Sequence, residues 1–185
     1  ITWSDLRGID FSGMNLSSVN FQNSDLTDQD FTNNVTFFAN DFLGANLSNA
    51  DFEGVDLSPK EQYSSVFKDK AYLRNLSSID MIEALFDSSS TIFLISGEVR
   101  GNDLVISYVF RNNFLSANLE NANFKNADLR VANFYLANLT NADLSGADLT
   151  NANLEGADLQ DVTLDNAILS NANLKCNNNP ICLDE

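Results

Sequence analysis

The chain has 185 residues, 44% of them hydrophobic, with 10 Lys+Arg against 26 Asp+Glu and a formal net charge of -16. That length suffices for one domain with a sizeable core, whereas the charge opposes nucleic acid and anionic membranes, which both need a cationic counterpart. No histidine occurs, which removes the commonest general base and transition-metal ligand, and no apolar run approaches the ~20 residues that span a bilayer.

No signal-peptide pattern opens the chain, and a start at Ile1 rather than Met is expected of a processed or trimmed product. Large apolar residues then recur at a five-residue step: Leu6, Phe11, Leu16, Phe21, Leu26 and Phe31. After one six-residue step the run continues through Phe37, Phe42, Leu47, Phe52 and Leu57. The slip near NNVTF predicts a one-residue bulge.

Geometry excludes a helix, because five residues at about 100° each rotate successive leucines away from any common stripe. It also excludes a plain strand, whose two-residue alternation cannot hold an odd period in phase. With the large apolar residue called i, positions i−2 and i share an inward face. The remaining three-residue step must be a corner, placed at i+2, where Asn, Asp and Gly tolerate a left-handed backbone. Leu and Phe alternate along this run apart from Phe37, so like residues stack on like only if a coil holds an even number of phrases. Two phrases leave little room inside; four give columns Leu6/Leu26/Leu47 and Phe11/Phe31/Phe52.

The beat stops at SPKE. Ser58, Pro59 and Glu61 read as a capping-box start, and Tyr63, Val66, Phe67 and Ala71 follow helical spacing, predicting a helix from about 59 to 72. A second box, Ser77 with Asp80, predicts a short helix through IDMIEALF. Between 94 and 113 two readings stand. Leu94, Val99, Leu104 and Val109 fall in phase with Phe114, favouring degenerate coils, while the turn-like RGND between two apolar runs gives a hairpin.

From Leu119 to Leu174 the repeat is strict. All 12 i positions are Leu or Phe, and 11 of the 12 i−2 positions are Ala, which makes this a repeat array rather than a run of ordinary elements. The phrases Ala117–Leu119, Ala127–Leu129 and Ala147–Leu149 resemble those of the pentapeptide-repeat proteins. The resemblance covers 114–174 and 4–57. It implies an all-β solenoid, a right-handed quadrilateral β-helix with four pentapeptides per coil, interrupted here by a mainly helical insertion. The expected organisation is repeat coils over 1–57, the insertion over 58–93, degenerate repeats or a hairpin over 94–113, coils over 114–175, and a tail over 176–185. That tail holds the two cysteines, Cys176 and Cys182, spaced for a terminal disulfide loop or present as two free thiols. The pair tilts the expected compartment toward an extracytoplasmic space, periplasm or thylakoid lumen, where family members occur beside cytoplasmic ones.

The search for chemistry points away from an enzyme and calls for no cofactor or metal. There is no glycine-rich phosphate loop, no metal-spaced Cys cluster and no nucleophile–base pair. Carboxylates abound, but at outward positions where nothing desolvates them. Asp128 and Asp148, one coil apart, have the oxygen ligands Ca²⁺ prefers and read more simply as a solvated repeat position; the column Asn133/Asn153/Asn173 reads as a side-chain ladder. The sequons at Asn34 and Asn138 follow from a phrase rich in Asn and Thr. Outward apolar residues are more informative, because the phrase predicts polarity there. Leu115 and Tyr135, both i+1, and Val131 and Leu136, both i+2, form a patch for a protein partner, unless the insertion folds back over it. The expected function is therefore a non-catalytic interaction scaffold. The alternative is a DNA-mimicking inhibitor of a topoisomerase such as gyrase, as some family members are. Residues 1–57 and 94–185 carry 21 acids and 6 bases, about one net charge per ~2.3 Å of coil axis against ~1.7 Å in duplex DNA. The family's inhibitors join through an apolar C-terminal segment that this tail lacks, and an insertion wedged into the rod would break the likeness.

Overall fold

A computed structural model describes residues 1–37, 39–59, 62–67, 92–100 and 103–183. The repeats build a four-sided coil. Parallel bridges join each i−1 residue to its counterpart one coil on, Asn113 to Asn133 to Asn153 to Asn173 and Asn118 to Asn138 to Asp158. The first side carries Leu6, Leu26, Leu47, Leu119, Leu139 and Leu159; the second begins at Phe11, the third at Leu16 and the fourth at Phe21. The six-residue step is absorbed within one coil. Asn20 pairs with Asp41 and Asp25 with Asn46, in each case one position further along the chain than the Asp5–Asp25 pairing requires.

Why five residues suffice for a side follows from where the five N–H groups go. In the phrase 117–121, the Leu119 N–H donates to Asn138 O in the next coil at 2.7 Å, and the Asn121 N–H to Thr140 O at 2.9 Å. The Asn118 N–H donates back to Ala45 O at 2.9 Å, and the Ala117 N–H closes the corner onto Phe114 O at 3.0 Å. The fifth, on Glu120, is taken by the side-chain oxygen of Asn118 at 3.3 Å. Hence Asn or Asp at i−1, whose short side chain reaches its own backbone two residues on. Corner residues at i+2 take positive φ in the regular phrases, including Asn121 at 57° and Asn141 at 59°, and in the six-residue step it falls to Asn34; Ala at i−2 leaves the bore to the large residue.

Two phenylalanine columns run up opposite sides. Phe31, Phe52 and Phe124 stack at 4.7 and 4.9 Å, and Phe42, Phe114 and Phe134 at 4.9 and 5.0 Å. The columns meet edge-to-face, Phe114 against Phe124 at 5.9 Å, the arrangement that ring quadrupoles favour.

The insertion corrects the sequence reading in three ways. Asp41 pairs with Asn113 and Asp56 with Asp128, although a regular coil would bring each to a partner far nearer in sequence, as it brings Asn113 to Asn133. The extra chain therefore leaves and rejoins at one corner, and the rod continues past it instead of being broken. Next, Gln62–Phe67 is a strand (β1), inside the span where the spacing predicts a helix from 59 to 72. Ser58 does not cap a helix: its N–H and hydroxyl both go to Asp56 Oδ1, at 3.1 and 2.6 Å, as the i+1 residue of the last phrase. Tyr63 and Val66 pair with Tyr108 and Val105, and aromatic and β-branched residues suit such a ladder. Finally, Ile92–Arg100 (β2) and Asp103–Phe110 (β3) are antiparallel, Val99 opposite Leu104, so 94–110 is a hairpin and not degenerate coils. The five-residue phase there lacks the Ala and Asn that corners and bore require. β3 is central in the order β1-β3-β2. The short helix expected through IDMIEALF lies outside the described residues.

Buried asparagines seal the break. The side-chain amide of Asn112, at an i−2 position, donates to Leu57 O at 2.7 Å, the carbonyl that a regular phrase satisfies with the next backbone N–H. Its Oδ1 accepts the Asn40 N–H at 3.0 Å.

Leu139, fully buried in the bore, supplies the direct check. Leu139→Ala is expected to destabilise the protein by about 2–5 kcal/mol, a transfer loss plus a cavity. Thr140→Ala, one position outward, should change denaturant unfolding by no more than about 0.5 kcal/mol.

Candidate functional site

The outer surface sorts by chemistry. Asn and Asp at i−1 form ladders: Asn133 Nδ2 donates to Asn113 Oδ1 at 2.7 Å, Asn153 Nδ2 to Asn133 Oδ1 at 3.3 Å and Asn173 Nδ2 to Asn153 Oδ1 at 3.2 Å. Four acids in these columns are held ionised. The Ser12, Thr32 and Ser145 hydroxyls keep Asp10, Asp30 and Asp143 below the usual carboxylate range, assisted by backbone N–H groups, and the Arg7 guanidinium brings Asp5 to about 2. A carboxyl so stabilised as its anion is a poor general acid near neutral pH. At Asp128 and Asp148 the place of a cation is taken by Arg130, at 2.7 and 3.9 Å. Among the described residues, no three His, Cys, Asp or Glu are grouped to hold a metal.

Three outward apolar residues, Leu115, Tyr135 and Leu136, share the fourth side, while Ile168 is exposed on the third and Ile1, Trp3, Ile9 and Met14 in the first coil. Leu115 and Tyr135 lie in register, the Ser116 N–H donating to Tyr135 O at 2.9 Å. Below Leu115 sits Leu43, through the Gly44 N–H to Leu115 O at 2.9 Å, so the column is Leu43, Leu115, Tyr135. Leu43 escapes the sequence reading because its neighbour Leu115 lies beyond the insertion; the parallel outward leucine at i+1 is the only signal. The two corner residues part company. Val131 is 8% exposed and Leu136 52%.

Both corners cost energy. Val131 and Leu136 hold φ of 64° and 56°, a left-handed backbone costing roughly 1–2 kcal/mol for a residue with a bulky side chain. The coil above accommodates Leu136. Gly156, at φ +70°, lies under its side chain, and a Cβ there would come within 2.6 Å of Leu136 Cδ2. Leu136 thus forms one wall of a groove of about 410 Å³, with Tyr135, Lys175, Cys176 and Leu183 around it. The far wall belongs to the C-terminal loop. Cys176 is bonded to Cys182, the Leu183 N–H returns to Leu174 O at 2.8 Å, and Asn179 Nδ2 donates to Leu159 O at 3.3 Å.

The family described as Pentapeptide repeats matches the chain in 8 copies, over residues 1–33, 36–58, 113–151 and 137–175. Among solved structures, a pentapeptide repeat protein, Rfr23 from the cyanobacterium Cyanothece, is 21% identical over 87% of this chain and 84% of its own, with a TM-score of 0.48. QnrB1, a plasmid-mediated fluoroquinolone resistance protein, is 12% identical in a trypsin-treated form, over 96% of this chain and 91% of its own, with a TM-score of 0.40. HetL, involved in heterocyst differentiation regulation in Nostoc, is 19% identical over 95% of this chain and 84% of its own, with a TM-score of 0.27. No curated protein matches the chain.

If Leu136 is held in its corner against its own preference, replacing it by a residue that accepts that backbone must stabilise the fold. Leu136→Asn is expected to raise stability by about 0.5–1 kcal/mol, read as a higher denaturant midpoint at unchanged slope. A lower midpoint would mean that the side chain contributes more to the fold than its corner costs.

Proposed function

Because the chain belongs to the pentapeptide-repeat family, whose fold is the right-handed quadrilateral β-helix, we propose that it is a non-catalytic scaffold that binds another protein through its fourth side. One observation carries the reading: Leu136, half exposed and apolar, occupies a left-handed corner where Asn or Gly is the economical choice, and Gly156 makes room for it. Stored strain at an exposed apolar residue is what a recognition surface shows. Tyr135 extends the contact beside Leu136; Leu115 and Leu43 continue the column below, and Val131 holds the buried corner at the other edge of this side. The rigid backbone suits the role, since a preorganised face loses little entropy on association. The bonded Cys pair favours an oxidising, extracytoplasmic setting. No helix among the described residues is long and apolar enough to cross a membrane.

One observation supports a second reading, a DNA-like inhibitor of a topoisomerase such as gyrase. The rod runs unbroken past the insertion, and one acidic column crosses it, Asp56 under Asp128 under Asp148. Against it, Arg7 and Arg130 each neutralise part of a column.

Capture of a partner on the immobilised protein tests the first reading. Leu136→Asn and Tyr135→Glu should each weaken recovery about tenfold or more, as central apolar anchors do, while Asn141→Ser, at a corner between the first and second sides, should leave it intact. Equal recovery by all four proteins would overturn the proposal. Inhibition of supercoiling at micromolar protein, insensitive to Leu136→Asn, would establish the second reading instead.

A further inference from the structure

The fourth side is not uniformly accessible. Asn113 and Asn133 occupy outward i−1 positions, yet both are fully buried, whereas Asn153 and Asn173 higher in the same column, and Asn118 and Asn138 on the adjacent side, remain partly exposed. Val131 and Leu136 are equivalent corners of one coil, and only Val131 is covered. Arg111 and Ser58, at the corner where the insertion leaves and returns, are buried as well. Neighbouring coils cannot explain the contrast, because they flank every side alike.

We infer that the three-stranded sheet β1–β3 is seated on this flank, over Asn113, Val131 and Asn133, and is the occupant of the lower half of the apolar column. Gln62 follows Pro59 by three residues, a reach of at most about 10 Å, and Phe110 precedes Arg111 directly. These two ends belong to strands that pair with each other, Gln62 opposite Val109. The sheet's base is therefore tied to the corner at both strands, and Asn112 is pinned to Leu57 and Asn40 beneath it. As β3 is the central strand, fixing its end steers the whole sheet. This inference deepens the interaction reading on which it rests: the insertion claims the face around Leu115 and Val131, and an external partner is left Leu136, the exposed edge of Tyr135 and the groove toward Leu183.

Hydroxyl-radical footprinting of the full chain tests the seat. Ile106 lies mid-β3, opposite Ser65 and Gly97, and Ile106→Pro removes a ladder donor there. In that variant labelling of Val131 and Leu115 should rise roughly fivefold as the local cover opens, with Leu136 and the bore residue Leu139 unchanged. Unchanged labelling at Val131 and Leu115, with amide exchange showing that the β1–β3 pairing is lost, would overturn the inference. If Leu139 is also labelled, the coil has failed, and a photo-cross-linker at Leu115 in the otherwise native chain decides. Cross-links to 62–67 or 92–110 support the seat, and cross-links confined to the coil refute it. Neither measurement involves a partner, so a negative result here leaves the capture experiment standing.

Discussion

Every backbone N–H in a regular phrase has one acceptor, and three of the five lie in a different coil. This constraint shapes the rest of the molecule. No coil can close on its own hydrogen bonds, so each is held in register by the one below and above, as in other quasi-one-dimensional repeat folds. The demand reaches individual side chains. The i+1 N–H has no backbone partner in reach, so i−1 is Asn or Asp. The corner needs positive φ, so i+2 is Asn, Asp or Gly wherever nothing else intervenes. The bore is narrow, so i−2 is Ala in 11 of the 12 phrases from Leu119 to Leu174.

The same constraint explains how the insertion is carried without breaking the rod. It enters between i+2 and i−2 of one phrase, the point of a corner where the chain is turning anyway. The Asn112 side chain supplies Leu57 O with the donor that a regular corner gives it. Buried amides are tolerated there because both ends of the group are satisfied. The Phe42–Phe114 and Phe52–Phe124 stacks bridge the gap from inside, so packing and hydrogen bonding agree on one register.

Much of this is legible in the residues. The period, the inward pair i−2 and i, the corner at i+2, the slip near Asn34 and the alternating Leu and Phe columns follow from spacing and steric argument. The insertion is less so. The Ser58–Pro59–Glu61 pattern has the composition of a helix start, but Ser58 is already committed to the Asp56 turn, and long-range pairing with β3 decides the conformation of Gln62–Phe67. The apparent five-residue phase of 94–109 comes from a strand-rich apolar stretch. The site is half legible. An outward leucine or tyrosine contradicts the phrase and stands out, but the contrast between Val131 and Leu136 is invisible without knowing what lies beside each, and Leu43 joins the column only when the insertion is looped out.

The coil beginning near Asn40 rests directly on the one beginning at Asn112, and a cross-link can read that stacking in solution. Ser48 and Glu120 are outward i+1 residues of the first side, separated in sequence by the whole insertion and adjacent in register, the Asn49 N–H donating to Glu120 O at 2.9 Å. Stacked coils stand about 4.8 Å apart, within disulfide reach. A Ser48→Cys, Glu120→Cys protein is therefore predicted to cross-link on mild oxidation. An Asn46→Cys, Val66→Cys protein, whose cysteines have the spacing of one uninterrupted coil, is predicted not to, because Val66 is paired with Val105 in the inserted sheet. Cross-linking of the second pair in preference to the first would show that the coils do not meet across the insertion.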